Sequence, residues 1–105
     1  MKHLHTPLLT AMAAYPDRSQ AETEDPIVAA KLFLLGAAAT WWLTEYDAQD
    51  RIAFGFVTGM FHDEWGSVSI DELEALQYGP IPRVEFDVNF RPMPFSKLKA
   101  QGFRA

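Results

Sequence analysis

The chain has 105 residues, 49% apolar and 22% charged, the balance of a folded domain and not of a disordered segment. Eight Phe, three Trp and three Tyr supply surface for one core, and the absence of cysteine excludes disulfides, thiolate metal sites and cysteine nucleophiles. A net charge of −5 argues against a general nucleic-acid binder, although residues 83–105 carry five bases against two acids while residues 1–82 carry twelve acids against four bases.

Met1-Lys2-His3-Leu4-His5 has no apolar leader pattern, so residues 1–5 are expected to be a frayed terminus with two idle histidines. Thr6-Pro7 then predicts a helix start, with threonine as cap and proline at the first helical position. Leu8, Leu9, Met12 and Ala13 follow at helical spacing until Pro16 stops the run. Residues 17–26 are polar and acidic, and are expected to form a loop whose charges favour mobility. Residues 27–35 are almost continuously apolar, with Lys31 the exception, and read as a strand. The apolar run through Ala39 is shorter than the roughly 20 residues of a membrane helix, so a cytoplasmic protein is expected.

Thr40 to Tyr46 is rich in strand formers, and strict alternation puts Thr40, Trp42, Thr44 and Tyr46 on one face. Asp47-Ala48-Gln49-Asp50 reads as a turn into a second strand, Arg51 to Thr58, giving an antiparallel hairpin with Ile52, Phe54 and Phe56 on one side. Ser69-Ile70-Asp71-Glu72 is a capping box, flanked by Val68 and Leu73 as a hydrophobic staple, and its helix is expected to end near Tyr78-Gly79-Pro80. Arg83 to Arg91 alternates throughout, predicting a strand with Val84, Phe86, Val88 and Phe90 inward. Arg83, Glu85, Asp87, Asn89 and Arg91 then face water. Phe95 to Ala100 suggests a last short helix. These elements sum to one α+β domain over residues 1–105, a mostly antiparallel sheet of four or five strands with two or three short helices, covered on one side.

A set of short blocks runs in order through the chain: Thr40-Trp41-Trp42, Thr44-Glu45-Tyr46-Asp47, Phe54-Gly55-Phe56-Val57, Gly59 and the run Gly66 to Glu74. Gly79-Pro80, Glu85, Asp87, Phe90 and Pro92 complete the pattern. In this order the blocks resemble the DUF2958 family of small uncharacterised proteins often encoded on plasmids and integrative elements. The resemblance implies a mobile-element setting and brings no known activity, cofactor or catalytic residue.

The residues themselves leave several functions open. A non-enzymatic module would bind a protein partner through the wet face of the 83–91 strand, with Trp41 or Trp42 as an exposed anchor beside Arg83 or Arg91 and polar contacts from Glu85, Asp87 and Asn89. Adjacent tryptophans on a strand point to opposite faces, so the alternative is burial of both. A metal-dependent enzyme would need Glu45, Asp47, Asp50, His62 and Asp63 to converge, whereas Asp47 and Asp50 also suit a turn. Lys97, Lys99 and Arg104 suit weak nucleic-acid binding, and the acidic surface suits nucleic-acid mimicry. No phosphate loop or hydrolase triad is present, and no metal or other cofactor is expected. Self-association through a free sheet edge is a further expectation. The interaction module is the reading the sequence favours.

Overall fold

The computed structural model describes residues 2–105. Its centre is a five-stranded antiparallel sheet. In chain order the elements are α1 (His5–Ala11), β1 (Ile27–Val28), β2 (Ala30–Leu34), β3 (Thr40–Asp47), β4 (Ile52–Thr58) and β5 (Glu64–Ser69). There follow α2 (Ile70–Ala75), β6 (Gln77–Tyr78), β7 (Ile81–Pro82), β8 (Val84–Phe86), β9 (Met93–Pro94) and α3 (Phe95–Ala100). The sheet runs β5-β4-β3-β2-β8, while β1 pairs with β9 and β6 with β7 in two small ribbons. This is the α+β architecture expected from the sequence.

Both faces of the sheet are covered, where one wet face was expected. Leu8 from α1 and its flanking cap residues Leu4 and Met12, with Ile70 and Leu73 from α2, bury one face against Leu32, Leu43, Ala53 and Val84. On the other face Trp42 packs with Val28 and Leu98, surrounded by Phe56, Phe90, Met93, Phe95 and Phe103. The two cores follow from pleating: adjacent residues Trp42 and Leu43 enter opposite sides. Gly55 allows β3 and β4 to lie close, because a Cβ there would sit 2.1 Å from the Trp42 carbonyl oxygen.

A bulge in β3 overturns the expected alternation. Leu43 pairs with Gly55 and Glu45 with the next residue back, Phe54, so Thr44 is an extra residue. Everything from Trp42 to Tyr46 is therefore buried. Beyond the bulge the parity flips, so Tyr46 joins the core of Leu43 and not that of Trp42.

Helix α2 starts as its local sequence dictates, with Ser69 Oγ accepting from the Glu72 amide at 3.2 Å. It stops at Ala75, earlier than expected, because Gln77–Pro82 forms the β6–β7 ribbon. Helix α1 starts two residues earlier than Thr6-Pro7 suggested, with Leu4 at the cap position and His5 as its first residue. Its first amides, Leu4 and His5, donate to Glu74 Oε2 at 3.0 and 2.9 Å. The N-terminal segment is correspondingly packed: Leu4 is fully buried, His3 Nε2 bonds the Val84 carbonyl, and His5 Nδ1 meets the Tyr46 hydroxyl at 2.6 Å.

The 83–91 strand is shorter than its alternation implied. Only Val84–Phe86 pairs with β2. Asp87 then folds back, its carboxylate accepting from the Asn89 amide, and Val88 points to water at 80% exposure. The turn returns Phe90 to the second core, where its ring lies 5.9 Å from that of Trp42.

Candidate functional site

On the Trp42 face, β4 presents Ile52, Phe54 and Phe56, and β5 presents Trp65 and Ser67. The register Phe54↔Ser67 and Phe56↔Trp65 fixes these side chains in one layer. Trp65 lies nearly parallel to Phe54, centroids 5.9 Å apart and planes 12° apart, and meets Phe56 edge-on at 5.2 Å. Phe95 abuts Trp65 at 4.6 Å, and Phe103 stacks on Phe56 at 5.5 Å. The layer thins toward β5: Phe56 is half-buried, whereas Phe54 and Trp65 keep 36% and 39% of their surface in water.

Residues 17–26 form the wall beside this shelf. They contain no helix or strand, but the β3 bulge holds them through two buried side chains. Glu45 accepts the Arg18 amide on Oε1 at 2.9 Å and the Gln20 amide on Oε2 at 3.1 Å. Gln20 in turn donates to the Ile27 and Thr44 carbonyls and accepts the Ile27 amide. At the far end, the Ser96 hydroxyl and amide bond Asp25 and hold its carboxyl below the usual carboxylate range. Between this strap and the shelf lies a cleft of about 540 Å³, lined among others by Asp17, Glu24, Glu45, Phe54 and Trp65. That volume lies within the roughly 300–1,000 Å³ of ligand sites.

The residues singled out from the sequence are dispersed. Trp42 is buried at 2% exposure, its indole N–H donating to Thr58 Oγ1, and Trp41 is half-buried on the opposite face. Asp47 caps its own turn, accepting the Gln49 and Asp50 amides. Arg83 lies over the Tyr78 ring at 4.4 Å, and Asp87 pairs with Lys31 at 3.4 Å. Glu85 is half-buried, while Asn89 and Arg91 are exposed. Among the described residues the one arginine over an aromatic ring is Arg83 on Tyr78, and neither Trp41 nor Trp42 is exposed. Glu45, Asp47, Asp50, His62 and Asp63 do not converge: Glu45 holds the strap, Asp47 the β3–β4 turn, and Asp63 accepts the Gly59 amide in the β4–β5 turn. Among the described residues no three His, Asp or Glu side chains are grouped to hold an ion.

A second polar group lies on the α1 side. The Tyr46 hydroxyl is pushed up to about 12, first by burial and then by the Glu74 charge. His5, Tyr46 and Glu74 are knit to the start of α1 and serve the fold. Trp65 is the functional candidate that the sequence reading passed over. Its signal was present in Trp65, Ser67 and Ser69 alternating with Gly66 and Val68, directly after a glycine-led turn.

A family model described as "Protein of unknown function (DUF2958)" matches residues 3–100. The chain belongs to this family. Searches of curated proteins and of solved structures return no match. No described helix is long and apolar enough to cross a membrane.

Proposed function

We propose that this DUF2958 member is a non-enzymatic protein-interaction module, an accessory protein of a mobile element acting in the cytoplasm, and that its docking surface is the Phe54–Trp65 shelf. One observation carries the reading. Of the large aromatic layer on the Trp42 face, only the Phe54–Trp65 end is left open, and it opens into the main cleft. Aromatic side chains fixed by cross-strand packing lose little entropy on binding and bury much area, which is why they anchor protein interfaces. The chemistry around the cleft favours recognition over catalysis: Ser67 has no histidine beside it, since His3 and His5 bond across the α1 face and His62 lies in the β4–β5 turn. A protein partner is favoured over nucleic acid because residues 17–25 hold four acids (Asp17, Glu22, Glu24, Asp25) and one base (Arg18) next to the shelf.

The test is affinity purification of the tagged chain from its native host, with and without nuclease, in parallel with Trp65→Ser. A stoichiometric protein that survives nuclease and is lost with Trp65→Ser is expected. Equal recovery by the variant, or recovery that depends on nucleic acid, would contradict the reading.

A further inference from the structure

The cleft combines two features that point to the charge of what enters it. Its floor is the paired Phe54 and Trp65 rings, whose faces attract cations. Its inner wall includes Glu45, a carboxylate at 6% exposure. Both Glu45 oxygens accept backbone N–H groups, yet two hydrogen bonds leave about half of a carboxylate's lone-pair sites free. Among the described residues no Lys or Arg pairs with it; the ion pairs are Lys31 with Asp87 and Arg51 with Asp71. A buried negative charge ordinarily has a cationic partner. At the rim, Asp17 and Glu24 add exposed carboxylates that hold no backbone group.

Resting on the docking surface proposed above, we infer that the cleft receives an arginine side chain from a basic segment of the partner protein. Its guanidinium lies over the Trp65–Phe54 pair and donates toward Glu45 and the rim carboxylates. A planar, forked donor matches this site better than an ammonium, because it stacks on rings and bonds carboxylates at once. Arg18 is the strap's own base. It lines the cleft with its amide committed to Glu45 and its side chain exposed, and against Asp17, Glu24 and Glu45 it leaves the charged lining at a net −2.

The experiment is an NMR titration of the isotope-labelled full chain with acetyl-arginine amide. Acetyl-citrulline amide, of nearly the same shape but uncharged, serves as the comparison probe. The reporters are the Trp65 indole N–H and the amides of Arg18 and Gln20. The arginine probe is expected to saturate these signals and to bind about tenfold or more tighter than citrulline, with affinity falling as salt is added. Asp17→Asn with Glu24→Gln, which touches no backbone bond of the strap, is expected to weaken binding several-fold. Trp65→Ala is expected to weaken it about 2- to 5-fold or more. Equal binding of the two probes overturns cation recognition and leaves the shelf as a neutral docking surface. Saturation by neither probe overturns the inference. Arginine binding that is indifferent to Trp65→Ala overturns the shelf itself, and with it the proposed interface.

Discussion

Two buried glutamates hold backbone amides in this fold, and glutamine should replace one of them but not the other. Glu45 spends one oxygen on the Arg18 amide and the other on the Gln20 amide. Glu74 receives both of its amides, from Leu4 and His5, on the single oxygen Oε2. Glutamine offers one acceptor oxygen and one NH2 group. At position 74 that oxygen can take both bonds, so Glu74→Gln is expected to cost less than about 1 kcal/mol. At position 45 an NH2 must face an N–H, leaving a donor unpaired beside a side chain only 6% exposed, at about 1–3 kcal/mol. Against a typical stability of roughly 5–15 kcal/mol this is a large fraction, and it corresponds to a drop in Tm of about 5–15 °C. Urea unfolding of the two variants and wild type measures the difference. Amide exchange should localise the Glu45→Gln effect to Arg18 and Gln20. Glu45→Gln matching wild type, or Glu74→Gln losing as much, would refute the assignment of bonds.

Gly55→Ala places a Cβ 2.1 Å from the Trp42 carbonyl oxygen and is expected to destabilise by about 2 kcal/mol or more, whereas Gly66→Ala, with open space above it, should change stability by less than about 1 kcal/mol in denaturant titrations. Tyr46 keeps its proton in the folded chain to about pH 12, while an unfolded chain releases it near 10. Stability should therefore fall as pH rises between those values, and unfolding curves of Tyr46→Phe should be flatter over the same range. Trp65→Ser, at a ring 39% exposed, should cost less stability than Trp42→Ala, for which about 3–5 kcal/mol is expected from calorimetry or urea unfolding.

What could be read from the sequence was what neighbouring residues decide. Ser69 caps α2 because its own amide neighbour Glu72 is three residues away, and Asp47 makes the β3–β4 turn with Gln49 and Asp50. Phe95–Ala100 is a helix as its pattern suggested. The start of α1 was misplaced because its cap is Glu74, distant in sequence and close only in the fold. The bulge at Thr44 has no local signature, yet it reverses the faces of β3 and turns Glu45 from a candidate ligand into the residue that anchors the strap. Alternation from Arg83 to Arg91 was real in composition, but the turn at Asp87 broke the strand after Phe86. Lys31, the odd charge in an apolar run, lies 5.2 Å over the Trp42 ring and bonds the Ala105 carbonyl oxygen. The docking surface proposed above lies on β4 and β5, whereas the alternating charges had suggested the 83–91 strand.

The most direct measurement is a hydrogen–deuterium exchange footprint of the chain bound to the protein that co-purifies with it. Protection is expected at residues 52–56 and 64–68 and along the strap at 17–25, with α1 and α2 unchanged. Protection centred on the turn at 87–91, or on the α1–α2 face, would contradict the assignment of the Phe54–Trp65 shelf as the interface.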